Sequence, residues 1–186
     1  MQISGVHGIG KTSLVDKLSK RHGWFAFKEE FDSSPPYPLG SVGFKGFVNE
    51  MWILSNLLSS RKKGLNGVVL CDRGFEDALA YSRALLDDEL FNAFKEVWKR
   101  LYEIYPYKPD IIILLHGDPL MIKRNVESRS RKTMVEWREN DLEYILRVQD
   151  AFLSLVKGDN VFLIEVDSFD RVLSEAEDII LKFVRK

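Results

Sequence analysis

The residues Gly5-Val6-His7-Gly8-Ile9-Gly10-Lys11-Thr12 fit the pattern G-x-x-x-x-G-K-[ST] at every fixed position. The chemistry this pattern serves is the holding of a polyphosphate. Such a ligand needs many donors converging on a small volume, and glycines let backbone N–H groups approach where a Cβ would clash. Gly5, His7, Gly8, Ile9, Gly10, Lys11, Thr12 and Ser13 are the candidate contacts. Lys11 would reach the β- and γ-phosphates, the Thr12 hydroxyl would ligate Mg²⁺, and a helix starting near Lys11 adds the positive end of its dipole.

Three more groups of charged residues suit the same chemistry. Val68 to Asp72 is an apolar run ending in an acid, and a carboxylate so placed holds Mg²⁺ directly or through water. Arg73 follows at once, so a guanidinium at the same strand end can serve a substrate anion, with a structural ion pair as the competing reading. Arg124, Arg129 and Arg131, with Lys123, Lys132 and Arg138 beside them, are opposed within that stretch by Glu127 and Glu136 alone. Out of context this run would be a solvated face. After the fourth strand of a phosphate-loop chain it reads as a lid at 128–138, whose arginines neutralise charge on a moving phosphoryl group. Glu29 and Glu30 end the second strand. There a carboxylate takes the proton of a hydroxyl acceptor, or positions Mg²⁺ or a sugar hydroxyl if the acceptor is already a phosphate, and plain surface charge competes with both.

These groups need elements to position them. Met1 and Ile3 lie in a first short strand, and Leu14, Val15 and Leu18 give the following helix its apolar stripe. Trp24–Phe27 is a second strand that empties into a loop with prolines at 35, 36 and 38, which forbid helix. Phe44 to Leu58 has helical spacing, closed by the basic run Arg61-Lys62-Lys63 and Gly64. Gly67–Cys71 is the third strand, followed by two helical patterns to Ile104; Ile111–Leu115 is the fourth and Val161–Ile164 the fifth. Helical patterns follow at Pro119–Glu127, Leu142–Val156 and Val172–Phe183. The alternation predicts a three-layer α/β fold, a five-stranded parallel sheet with helices on both faces, within one domain over 1–186. Gln149 on an apolar stripe reads as a core amide ahead of a base-reading group, and Phe44, Phe47 and Trp52 as core ahead of base stacking.

Composition sets bounds. Apolar residues make up 45% and charged residues 30% of 186, with 27 Lys+Arg against 28 Asp+Glu, so overall charge points neither to nucleic acid nor to a membrane surface as partner. One cysteine, Cys71, fits a reducing compartment, and no apolar run nears membrane-spanning length, giving the expectation of a cytoplasmic protein. His7, His22 and His116 lack ligand spacing.

In order along nearly the whole chain, Gly5 to Thr12, the acid at the end of strand two, Asp72-Arg73-Gly74 running into Asp77 to Tyr81, Pro109-Asp110, Asp118-Pro119, the arginines of 124–132 and Asp141 to Phe152 resemble the thymidylate kinase and deoxynucleoside kinase group. The resemblance implies the P-loop NTPase fold, ATP with Mg²⁺ as donor, and a small-molecule nucleoside or nucleotide acceptor, with a homodimer compatible. By position it implies Lys11 and Thr12 at the donor phosphates and metal, Asp72 at the metal, Arg73 at the acceptor's 5′ end, Arg124, Arg129 and Arg131 in the lid, and Glu30 or Glu29 as the strand-two acid. Lys28-Glu29-Glu30 and Asp72-Arg73-Gly74 depart from the group's Arg-Glu-Pro, Asp-Arg-Tyr and Glu-Arg-Ser, which leaves the base open. The leading expectation is transfer to a nucleoside monophosphate; the alternatives are a nucleoside kinase acting on a 5′-hydroxyl, a regulatory ATPase, or a polynucleotide 5′-kinase.

Overall fold

The structure, a computed structural model, describes residues 1–28, 34–60, 67–128 and 138–185. Its strands are β1 (Gln2–Gly5), β2 (Phe25–Phe27), β3 (Val69–Asp72), β4 (Ile112–Gly117) and β5 (Val161–Val166). The helices are α1 (Lys11–His22), α2 (Gly43–Ser60), α3 (Phe75–Leu85), α4 (Asp88–Ile104), α5 (Pro119–Glu127), α6 (Leu142–Leu155) and α7 (Phe169–Val184). The sheet runs β2-β3-β1-β4-β5 with every pairing parallel. β2 and β3 are laid on one side of β1 and β4 and β5 on the other. The reversal of direction therefore falls beside β1, and in open sheets that is where ligands bind, at the carboxyl ends.

Apolar runs form β3 and β4 because both faces are covered, and Leu70, Ile113 and Leu114 are fully buried. α1 and α7 pack together on one face; α3 is the hub of the other layer, touching α2, α4 and α6, with α5 against α6. Phe75, Phe94 and Phe152 fill that layer and Leu14 and Leu18 the opposite one. β1 carries two buried polar residues, Gln2 at its start and Ser4, and their side chains bond to each other at 2.8 Å. That polarity is matched by Asp77 on α3, which accepts from Ser4 Oγ at 2.7 Å.

Three strands run further than their apolar residues foretell: β3 includes Asp72, β4 reaches Gly117 and β5 reaches Val166. Pairing with a neighbour holds these last residues, as where His116 and Gly117 sit opposite Glu165 and Val166. Asp87, Asp118, Asp141 and Ser168 cap α4, α5, α6 and α7 through their side chains, whereas α1 starts at Gly10 with no side-chain cap. The basic close expected for α2 at 61–64 lies outside the described residues.

Candidate active site

The loop between β1 and α1 takes a shape that its glycines permit. Gly5 has φ 140 and a Cβ there would stand 2.5 Å from Leu115 O; Gly8 has φ 82 and a Cβ would stand 2.7 Å from Val126 Cγ2. α5 is therefore pressed onto the loop, and Asn125 Nδ2 donates to Gly8 O at 3.2 Å. Lys11 is buried, and its ammonium donates to the carbonyls of Gly5 at 2.8 Å and Val6 at 3.1 Å. Its charge thus sits within the cradle, near the uncapped start of α1, where an anion is favoured.

β3 brings Asp72 to the same place. Thr12 Oγ1 donates to Asp72 Oδ2 at 2.5 Å, while Asp72 Oδ1 is buried with no hydrogen-bond partner among the described residues. A hydroxyl beside a carboxylate with an oxygen to spare fits Mg²⁺, which takes one or two protein oxygens and completes its shell with water and phosphate. Arg73 follows with φ 73, a conformation costly for a residue with a Cβ, and its guanidinium carbon lies 4.8 Å from the centre of the Tyr81 ring.

Two cavities meet here. One of about 750 Å³ is lined by the phosphate loop from His7 to Ser13, Asp72, Arg73, Asn125, Ser128 and the β5–α7 turn at Asp167, Ser168 and Phe169. The other, about 270 Å³, is lined by Pro35, Leu39, Gly40, Glu50, Ile53, Leu57, Asp77, Ala78, Tyr81 and Tyr144. His7, Arg73 and Glu139 line both. The His7 ring bonds Glu139 O at 2.8 Å through Nε2 and stacks 5.6 Å from Tyr144, and its backbone N–H donates to the Tyr81 hydroxyl at 2.8 Å.

Asp77 is the carboxyl group the sequence reading left without a role. It is 2% exposed, and its Oδ2 accepts from Ser4 Oγ, from Gly74 N at 3.0 Å and from Gln2 Nε2 at 3.3 Å, while Oδ1 has no hydrogen-bond partner among the described residues. Burial pushes its pKa up to about 6 against the pull of Arg73 and Lys11. Burial likewise raises Tyr144, with Tyr81 and Glu50 adding to the effect. Sequence reasoning did not find Glu50 as a pocket residue, and reached Asp77 only through the family resemblance, where Asp77 or Ala78 stands at the place of a base-contacting serine. An acid on a stripe of α2 or in the first turn of α3 looks like solvated charge until the fold turns it inward.

The structure thus gathers Gly5, His7, Gly8, Ile9, Gly10, Lys11, Thr12, Ser13, Asp72 and Arg73 into one place. It does not bring in Arg124, whose side chain is 71% exposed and lies 3.9 Å from Asp118, outside both cavity linings. Glu30 and Glu29, Arg129 and Arg131 lie outside the described residues, as does 129–137 of the expected lid. Gln149 Oε1 accepts from Gly117 N at 3.0 Å, which makes it a satisfied structural amide. Phe44, Phe47 and Trp52 line neither cavity. Among the described residues no three His, Cys, Asp or Glu side chains cluster as a metal site would require, and no helix is long and apolar enough to cross a membrane.

No protein-family model matches the chain. The deoxyadenosine kinase of Lactobacillus acidophilus is 28% identical over 143 residues, 69% of this chain and 66% of that protein, so the match spans just under two thirds of the relative. Among solved structures, the deoxyadenosine kinase of M. mycoides with bound dATP superposes with a TM-score of 0.74 at 18% identity, over 100% of this chain and 98% of that one. The same enzyme with dCMP and a flexible dCDP gives 0.73 at 17%, over 99% and 97%. The chain has the deoxynucleoside kinase-like P-loop fold. Within that kinase-like fold the phosphate loop is the turn after the central strand, and the smaller cavity lies between α2, α3 and the start of α6.

Proposed function

We propose that the chain transfers the γ-phosphoryl group of ATP to the 5′-hydroxyl of a deoxynucleoside. The observation that carries this reading is the meeting of the two cavities at Arg73 and His7: one holds a phosphate loop, the other is small, aromatic-walled and floored by buried carboxyl groups. A nucleoside acceptor is favoured over a monophosphate, the leading expectation from sequence, because the relatives matched in sequence and in structure are named deoxyadenosine kinases.

In this reading the loop amides from Gly8 to Ser13 and the Lys11 ammonium bind the donor phosphates and offset the charge that spreads over the moving group. Thr12 and Asp72 are the residues that would hold Mg²⁺, which when bound neutralises phosphate charge. Arg73 faces the point where the cavities join and holds the acceptor's 5′ oxygen against the γ-phosphate. A hydroxyl acceptor must lose a proton, and Glu30 or Glu29, just past β2 in the sequence, is the proposed acceptor of it. Asp77 Oδ1 accepts from an amino group of the base.

The test is ADP release from ATP with Mg²⁺ across deoxynucleosides and their monophosphates, with water alone and Lys11→Ala as controls. Stimulation by deoxynucleosides that Lys11→Ala abolishes is expected. Stimulation by a monophosphate in their place would return the site to nucleotide chemistry, and a flat panel would overturn small-acceptor transfer altogether.

A further inference from the structure

We propose that Asn49 is a positioning residue that sets acceptor selectivity by holding the wall of the smaller cavity from behind; what that cavity holds rests on the nucleoside kinase reading. Asn49 is 2% exposed on α2 and does not itself line the cavity, although its neighbour Glu50 does. Its amide is committed wholly to the backbone of one loop. Tyr37 N donates to Asn49 Oδ1 at 3.0 Å, and Asn49 Nδ2 donates to Tyr37 O and Pro38 O, each at 3.0 Å. Both amide hydrogens and the oxygen are used, in the paired donor-and-acceptor geometry that a side-chain amide offers and a carboxylate does not.

The loop needs such a hold. Pro35, Pro36 and Pro38 have no N–H to give, so half of the residues from 35 to 40 cannot donate a bond to fix their own path. Ser41 folds back onto Pro38 O through its N–H at 3.2 Å and its hydroxyl at 2.6 Å. Beyond it the backbone rests directly on α2, since a Cβ at Gly46 would stand 2.4 Å from Ser41 O. The loop is therefore pinned at two points of one helix; the part between presents Leu39 and Gly40 to the cavity, and Pro35 lines it just ahead of the first pin. At about 270 Å³ that cavity has little room to spare, so the place of this wall decides which acceptors fit.

Two variants separate the clasp from general stability. Asn49→Asp keeps an acceptor for Tyr37 N–H but turns an oxygen toward two carbonyls, and Gly46→Ala raises helix propensity while pushing Ser41 away. For both, the acceptor KM is expected to rise about tenfold or more with discrimination among bases flattened, while kcat at saturation and the KM for ATP stay within about twofold. Amide hydrogen exchange at Tyr37, which needs no acceptor, is expected to quicken in Asn49→Asp, because repulsion of the Tyr37 and Pro38 carbonyls draws the loop off the carboxylate, with α2 itself still protected. An unchanged acceptor KM and base ranking, an equal loss of ATP affinity, or unchanged exchange at Tyr37 would overturn the proposal. If no nucleoside stimulates the wild-type protein, the nucleoside reading fails on its own, and the clasp is then upheld or overturned by the Tyr37 exchange.

Discussion

Asp77 shows most directly what a single side chain contributes. Its pKa is about 6 in the fold against 3.8 for a free aspartate, so between those values the folded state keeps a proton that the unfolded chain has lost. Stability from this group is present below that window and declines as pH rises through it. Asp77→Asn, which is neutral at every pH and can still accept from Ser4 and Gly74, is expected to raise Tm at pH 8 by a few degrees, on the order of 2 kcal/mol. Melting curves at several pH values should show the difference from wild type closing below about pH 6. Arg73 belongs to the same scale. Arg73→Ala is expected to lower kcat/KM for the acceptor about 100-fold or more, and Arg73→Lys to recover little of it, since an ammonium lacks the planar fork; steady-state kinetics with the acceptor varied would show this. Lys11 and Thr12 were legible from sequence because a fixed spacing defines them, and Asp72 because an apolar run ends in it. Asp77 and Glu50 were not, because nothing local distinguishes a carboxyl turned toward a pocket from one turned toward water.

At the scale of elements, α5 and the phosphate loop act as one unit. A methyl at Gly8 would meet Val126 at 2.7 Å with the backbone at φ 82, so Gly8→Ala is expected to cost about 1–3 kcal/mol and to weaken ATP binding together with stability. Thermal melts and the KM for ATP, measured side by side, would test that pairing. α6 begins at Asp141, whose carboxylate accepts from Glu143 N at 3.0 Å and Tyr144 N at 3.3 Å and is held below the usual carboxylate range by its bond to Arg138. Asp141→Ala is expected to cost about 1 kcal/mol, read as a lower Tm, and to loosen Tyr144 at the wall of the smaller cavity. All five strands and the helices after them were legible as apolar runs and 3.6-residue spacing, since burial on two faces or one leaves those marks. Strand ends were not: β4 continues through His116 because β5 pairs with it, and pairing across 49 residues of chain leaves no local trace.

For the molecule as a whole, ligands should act as stabilisers. A chain whose donor cradle is preformed gains RT ln(1 + [L]/Kd) on binding, about 2.7 kcal/mol at 100 times Kd. ATP with Mg²⁺ is accordingly expected to raise Tm in a concentration-dependent way, with EDTA removing most of the rise; an EDTA-independent rise would argue against Thr12 and Asp72 as the metal ligands. The sheet order was legible only as a class, because alternation of strands and helices demands parallel pairing but does not say which strand lies at the centre. β1 takes that place with its polar pair Gln2 and Ser4 buried, tolerable inside because α3 answers it with Asp77.

The junction at His7, Arg73 and Glu139 has a consequence for inhibition. Two cavities that share a wall are two halves of one elongated slot, so two nucleosides joined through a chain of phosphates would occupy both at once. The second half would then bind at the effective concentration set by the tether, in the millimolar range for short flexible links. Such a molecule should compete with donor and acceptor alike, and its grip should be strongest at the linker length that matches the path past Arg73.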